Sequence, residues 1–384
     1  MSDDIIIIGS GFAARQLVKN LRQRNKDITI RLIAADSCDE YNKPDLSHIA
    51  SQRLSADDLT RVVADEFAAQ NGVLLHANTQ VTHIDAVRRT ITTSNGVFSY
   101  GKLVLALGAE AIVPDFEGAE LMITLNSQQA YRQSQEVLQK ASHVVLTGGG
   151  LIGTELAMDL NRAGKKVTVI DRASHLLSSL MPAEVSARLQ QHLCQSGVDM
   201  YLNSQISAVG KQEGGLNVLL RDGRTVSCDA AICAIGLKPN TALAAAAGLE
   251  TRRGIVVDSG LATSNPDIFA LGDCAEVEGK CLPYLQPAQL AAMTLARNLT
   301  GERAALVLPA ALIKVKTPDC PFQLAGNTGS KDLLWQMQLS PRGLVAKGYS
   351  AAGDLTGFVV TEEETKQAFP LVKQLGTPAP DTQS

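Results

Sequence analysis

The stretch IIIIGSGFAARQLVKNLRQ, Ile5 to Gln23, decides the fold. Ile5 to Ile8 read as a buried strand, the glycines end it, and helical periodicity follows. Gly9 permits a tight turn and Gly11 lets a pyrophosphate approach the backbone. Ala14 takes the third small position of the G-x-G-x-x-G/A pattern, where the helix packs closely. Phe12 and Ala13 open the helix, whose free N–H groups and positive dipole end suit an anion. The next strand, ITIRLIAAD, ends at Asp36, 22 residues after Ala14, where a carboxylate is expected to hold ribose hydroxyls.

The same unit recurs at HVVLTGGGLIGTELAMDLNRAG (143–164) followed by KKVTVID (165–171). Gly148, Gly150, Leu151, Ile152 and Gly153 form the second turn, and Asp171 closes the strand 18 residues after Gly153. A carboxylate here pairs with a free 2′-hydroxyl and repels a 2′-phosphate by about 4 kcal/mol per charge pair at ~4 Å and an effective dielectric near 20. That favours NADH over NADPH, although the adjacent Arg172 can offset part of the repulsion. Glu155, early in the helix, suits the dipole as a first-turn acid. Two such units on one chain predict two dinucleotide-binding domains.

Around them, residues 73–112 and 198–236 share a texture of short strands and turns. Residues 255–273 carry strand signals, a helix is expected over 288–300, and from about 309 a small α+β domain follows. The tail after Gly376, TPAPDTQS, is expected to fray. The chain is therefore read as α/β, with two interleaved Rossmann-like, three-layer ββα dinucleotide-binding domains plus a C-terminal α+β domain. The boundaries are 1–109 with 237–308, then 110–236, then 309–384.

Composition narrows the function. The 384 residues are 45% hydrophobic and 19% charged, enough for real cores. A net charge of −4 speaks against nucleic acid as the principal partner. Seven cysteines, an odd number, suit a reducing cytoplasm. No stretch approaches 18 consecutive apolar residues, so no membrane span is expected, and MSDDIIIIGSG lacks the basic start of a signal peptide. Cys228 and Cys233 (CDAAIC) fall in one predicted strand, on opposite faces and roughly 16 Å apart. They are read as core residues, as is Cys274, and not as a redox pair.

The chain resembles the FAD-dependent pyridine-nucleotide oxidoreductases, two-dinucleotide flavoprotein reductases. GSGFAA with Asp36, YNKPDLS (41–47), LVLALGA (103–109), GGGLIGTE (148–155), AIGLKPN (234–240) and TSNPDIFALGDCAE (263–276) carry the likeness in order over nearly the whole chain. Within the family it is most similar to the rubredoxin reductases, and within those to the branch serving flavodiiron nitric oxide reductases. DEYNKPDLSH (39–48), TLNSQQAYR (124–132) and IKVKTP (313–318) carry that closer likeness. The resemblance implies FAD in the first unit and NADH in the second. It implies that Asp273 bonds the flavin ribityl chain, that Lys43 lies near the flavin or its phosphates, and that Glu155 lies near the nicotinamide. It adds Val81, Gly108 and Gly272 to the FAD set and Gly236 to the NADH set.

The implied chemistry is hydride transfer from NADH to FAD, then single-electron delivery to the iron centre of a rubredoxin domain of a flavodiiron protein. No side-chain acid, base or metal is required. Two departures stand out. The threonine usual in the LVLATGA stretch is Leu107, and a basic or redox-active residue is replaced by His48. A histidine cannot form a sulfenic acid, which argues against oxidase, peroxidase or disulfide reductase activity. His48 reads equally as a residue near the flavin or as a hydrogen-bonding histidine of the fold.

Rubredoxins are usually acidic, so a basic rim is expected to steer them. Lys316 is the favoured partner residue, with Lys314 on the same strand face. Arg15, Lys19 and Arg22 form a second candidate face on the first helix. Two other readings stay open, a ferredoxin reductase of an oxygenase system and a redox-sensing NADH-binding flavoprotein.

Overall fold

A computed structural model describes residues 4–377; most of the tail expected to fray, 378–384, lies outside the described residues. The chain forms two compact units. One comprises Met1–Asn42, Asp58–Glu110 and Leu237–Pro309, and the other Lys43–Asp57, Ala111–Gly236 and Ala310–Ser384.

The first unit is built on a five-stranded parallel sheet in the order Ile268–Ala270, Lys102–Leu105, Ile5–Ile8, Ile30–Ile33, Leu74–His76. Ile5–Ile8 is central and every residue is buried, which is why the strand reads as an unbroken apolar run and not as an alternation. Each isoleucine removed from water contributes about 1.5–3 kcal/mol. Helix Phe12–Arg24 buries Ala14, Leu17, Val18 and Leu21 and packs on helix Leu285–Leu299. A small antiparallel sheet, Val81–Asp85, Thr90–Thr93 and Gly96–Ser99, completes the unit.

The second unit repeats the plan. A four-stranded parallel sheet runs Asp199–Tyr201, Lys166–Ile170, His143–Thr147, Ala230–Cys233. Helix Leu151–Arg162 packs on it, and an antiparallel sheet, Ile206–Gln212, Gly215–Leu220 and Thr225–Cys228, lies beside it. The C-terminal part is a five-stranded antiparallel sheet in the order Ile313–Val315, Phe322–Gly326, Leu355–Thr361, Gly343–Tyr349, Leu334–Ser340, closed by helix Ala368–Gln374. The whole is α/β with parallel sheets and a β-rich C-terminal portion.

Three local expectations are corrected. Cys228 and Cys233 do not share a strand. Asp229 accepts the N–H groups of Ser142 (2.7 Å) and His143 (2.9 Å), and the chain changes sheets there. Cys228 ends Thr225–Cys228 and Cys233 ends Ala230–Cys233. The helix expected from 288 begins at Leu285, because Pro287 lies in its first turn, where the missing N–H costs nothing. Arg15 is not part of an exposed basic face; it is 3% exposed, for reasons given below.

Candidate functional site

The first glycine turn is built from the strand upward. Gly9 holds φ +109°, and a Cβ there would meet the Ala106 carbonyl oxygen at 2.2 Å, so no other residue fits. Gly11 caps helix Phe12–Arg24 without a side-chain hydrogen bond, and a Cβ on it would meet nothing within 4 Å. The helix N-terminus thus presents unsatisfied N–H groups to open space. Those are the two features an incoming pyrophosphate needs. Ala13 faces Gly272 so closely that a Cβ on Gly272 would lie 2.8 Å from the Ala13 Cβ. The turn Gly272–Cys274 is thereby set against the helix, and Asp273 beside it is half-buried.

Asp36 does not end its strand as expected: the strand stops at Ile33, and Asp36 stands exposed three residues beyond, braced from two sides. Ser10 Oγ donates to both its oxygens (2.7 and 3.0 Å), and the Cys38 N–H donates to Oδ1 (3.1 Å). Asn78 N–H bonds the Asp36 carbonyl and Thr79 N–H the Ala34 carbonyl, each at 2.8 Å, which brings the approach to Val81 alongside Asp36. Gly108 holds φ +67°. The turn at Leu107–Gly108, which lacks the usual threonine hydroxyl, is held by Asn240. Its Nδ2 donates to the Leu107 carbonyl (2.9 Å) and its N–H to the Gly108 carbonyl (3.0 Å). Sequence reasoning passed over Asn240, although its signal was the last letter of AIGLKPN.

The second turn repeats the first. Gly148 holds φ +104°, with a Cβ 2.4 Å from the Ala234 carbonyl oxygen. Gly150 caps its helix without a side-chain bond and faces open space, and a Cβ on Gly153 would lie 1.8 Å from the Gly148 carbonyl oxygen. Asp171 accepts the Gly149 N–H and the Ala173 N–H (2.6 Å). Leu151 is half-buried and Ile152 exposed at the helix start, and the Gly236 carbonyl takes the Ile112 N–H at 3.0 Å. Helix starts without a side-chain cap, and the room at Gly11 and Gly150, fit a dinucleotide at both turns.

Lys43 belongs to the second unit, and the other residues assigned to FAD belong to the first. Lys43 opens the short helix Lys43–His48. Two buried carboxylates on helix Leu151–Arg162, one turn apart, organise its surroundings. Asp159 accepts from Ala50 N–H (2.8 Å), Ser51 N–H (3.2 Å) and Ser51 Oγ, and lies 4.0 Å from His48 Nδ1. Glu155 Oε1 accepts the Lys316 N–H at 2.9 Å, and Lys316 Nζ donates to the Pro44 carbonyl. Burial holds the Lys316 ammonium below the ordinary lysine range, opposed by Glu155 and Asp45. Lys316 is thus half-buried and committed inward, whereas Lys314 is exposed. Arg22 and Lys19 are likewise engaged within the first unit, Arg22 with the Asn71 and Ile28 carbonyls and Lys19 with Glu40.

Residues 3–294 match the family of pyridine nucleotide-disulphide oxidoreductases, and the chain belongs to that family. Residues 305–375 match a rubredoxin binding C-terminal domain. The chain is 55% identical over 98% of its length, and over 100% of theirs, to proteins of Escherichia coli and Salmonella paratyphi A named nitric oxide reductase FlRd-NAD(+) reductase. Among solved structures it is similar to a ferredoxin reductase from Rhodopseudomonas palustris, at 27% identity and TM-score 0.87, covering 98% of this chain and 96% of that one. It is also similar to a covalent putidaredoxin reductase–putidaredoxin complex, at 25% identity and TM-score 0.86, covering 97% and 94%. Among the described residues no helix is long and apolar enough to cross a membrane.

Proposed function

We propose that this chain is an NADH-dependent FAD reductase that passes electrons singly to the rubredoxin domain of a flavodiiron nitric oxide reductase. The observation that carries the reading is the joining, on one chain, of two open, uncapped glycine turns to a C-terminal segment of the rubredoxin-binding kind. Residues 1–109 with 237–308 hold FAD, 110–236 hold NADH, and 309–384 serve the acceptor. Seven free thiols support a cytoplasmic setting.

Bound FAD supplies what no side chain can, the acceptance of a hydride and its release as single electrons. The protein binds and orients. Gly9 and Gly11 leave room for the FAD pyrophosphate at the N–H groups of Phe12, Ala13 and Ala14, while Asp36 takes the ribose hydroxyls. Val81, Gly108, Gly272 and Asp273 bound the rest of that cofactor. Gly148, Gly150, Leu151, Ile152, Gly153 and Gly236 serve NADH in the same way, and Asp171 disfavours a 2′-phosphate. Glu155, held by the Lys316 N–H, keeps a carboxylate oriented on the nicotinamide side, and Lys43 serves the flavin side.

Stopped-flow reduction of the yellow holoenzyme tests this. Fast bleaching by NADH and slow bleaching by NADPH are expected, followed by rapid reoxidation on adding a rubredoxin domain. Bleaching without reoxidation discards the acceptor and leaves the reductase. A second reading, a ferredoxin reductase, is favoured by the full-length likeness to the Rhodopseudomonas palustris enzyme. It predicts reoxidation by a [2Fe–2S] ferredoxin in preference to rubredoxin.

A further inference from the structure

Arg15 sits one turn into the first glycine-turn helix and is 3% exposed. Its guanidinium lies 4.3 Å over the Phe67 ring and 3.6 Å from Glu40 Oε2. Nε donates to the Ser10 carbonyl at 2.9 Å and Nη2 to the Cys38 carbonyl, while Nη1 has no hydrogen-bond partner. An incompletely satisfied, buried cation is costly where an apolar side chain would pack the same helix. What it obtains is geometric. Ser10 is the middle of the glycine turn, and Cys38, at φ +60°, lies two residues beyond Asp36. Those same two residues donate to the Asp36 carboxylate, through Ser10 Oγ and the Cys38 N–H. The guanidinium therefore grips, by their carbonyls, both residues that brace Asp36.

The internal repeat isolates this role. Counting from the helix cap, Thr154 stands in the second unit where Arg15 stands in the first, and Thr154 Oγ1 donates to the Gly149 carbonyl at 3.3 Å. Both side chains thus hold the middle carbonyl of their turn. The second unit needs nothing longer, because Asp171 takes the Gly149 N–H directly. In the first unit Asp36 receives a side-chain hydroxyl of the turn instead, and Arg15 adds a second link, from the Ser10 carbonyl to the Cys38 carbonyl in the loop beyond the strand.

We infer that Arg15 is a positioning residue for the adenosine half of the first cofactor, fixing the distance between the pyrophosphate turn and the ribose carboxylate Asp36. This rests on the functional reading above, in which the first unit takes FAD.

Two variants test it. Arg15→Thr copies the sister turn and keeps the Ser10 contact alone, and Arg15→Lys keeps the charge but not the fork. FAD affinity is read from fluorescence released on dilution of the holoenzyme, and ADP affinity from displacement of FAD. Arg15→Thr is expected to weaken FAD and ADP by the same factor, about tenfold. Arg15→Lys should weaken both by less. The FAD-saturated variants should keep the wild-type flavin spectrum, NADH affinity and bleaching rate. Unchanged FAD affinity in both variants overturns the inference, and so does a loss for FAD that ADP does not share. Should Arg15→Thr fail to fold, Arg15→Lys decides alone by the same criterion. A wild type that binds no FAD overturns the functional reading and this inference together.

Discussion

A methyl group at Gly9 or Gly148 must displace a backbone carbonyl and hold a φ that L residues rarely adopt. Strain of this kind costs about 1–3 kcal/mol, so Gly148→Ala is expected to weaken NADH about tenfold or more while leaving flavin content intact. Gly9→Ala should lose flavin and leave NADH titration unchanged. Flavin absorbance and NADH titration on the two variants check both. The cysteines behave oppositely to a redox site. Burial pushes the thiols of Cys38, Cys274 and Cys320 up to about 12 and that of Cys228 to about 11. Only Cys194 is exposed, with Cys281 intermediate. A thiol reagent at pH 8 should therefore label Cys194 quickly, Cys281 slowly, and the other five only on unfolding. The folded chain keeps protons that unfolded thiols release near 9.0. Stability from these groups is full below that pH and falls as pH rises toward 12, measurable as a declining Tm.

Helix Leu151–Arg162 is the element on which the second unit's candidate site is assembled. Its N-terminus offers the open N–H groups, and its buried face carries Glu155 and Asp159, spaced so that both meet other segments. Asp159 holds the turn at Ala50 and Ser51, just beyond the helix that carries Lys43. Asp159→Ala removes every acceptor in that contact, leaving two N–H groups and a hydroxyl to find water. Hydrogen exchange should rise at least tenfold at the amides of Ala50 and Ser51, with little change in the central strands. Unchanged exchange there would show that the segment is held by its apolar residues instead. This contact was illegible in the sequence. Asp159 reads as an ordinary helix acid, and its partners lie 108 and 109 residues away.

At the scale of the whole molecule, the acceptor must be recognised by charge that remains free. Lys316→Glu is expected to raise the KM for rubredoxin and spare that for NADH. Its ammonium, however, also holds the Pro44 carbonyl, so Lys314→Glu is the cleaner probe. For Lys314→Glu the rise in acceptor KM should be several-fold at low salt and shrink as added salt shortens the screening length to about 8 Å at 0.15 M. A salt-independent effect would argue against steering.

What the sequence determined by itself was whatever short-range stereochemistry dictates. Gly9, Gly148 and Gly153 were legible because each turn brings a backbone carbonyl to where a Cβ would stand, whereas Gly11 and Gly150 were read from the motif and face open space. Asp36 and Asp171 were read as strand-end carboxylates, but the strands end at Ile33 and Ile170, and hydrogen bonds from the turns, not the strand ladder, hold both side chains. Sidedness and pairing were left to the tertiary structure. Arg15, Lys19 and Arg22 share a helical spacing whether they meet solvent or a neighbour; packing buried Arg15 and left Lys19 and Arg22 partly exposed, bonded to Glu40 and to the Asn71 and Ile28 carbonyls. Lys316 and Lys314 alternate alike on paper, yet only the neighbouring Pro44 and Glu155 make one committed and the other free. Cys228 and Cys233 were separated by Asp229 accepting two distant amides. Long-range hydrogen bonds of this kind depend on which segments the fold brings together, and local spacing carries no record of that.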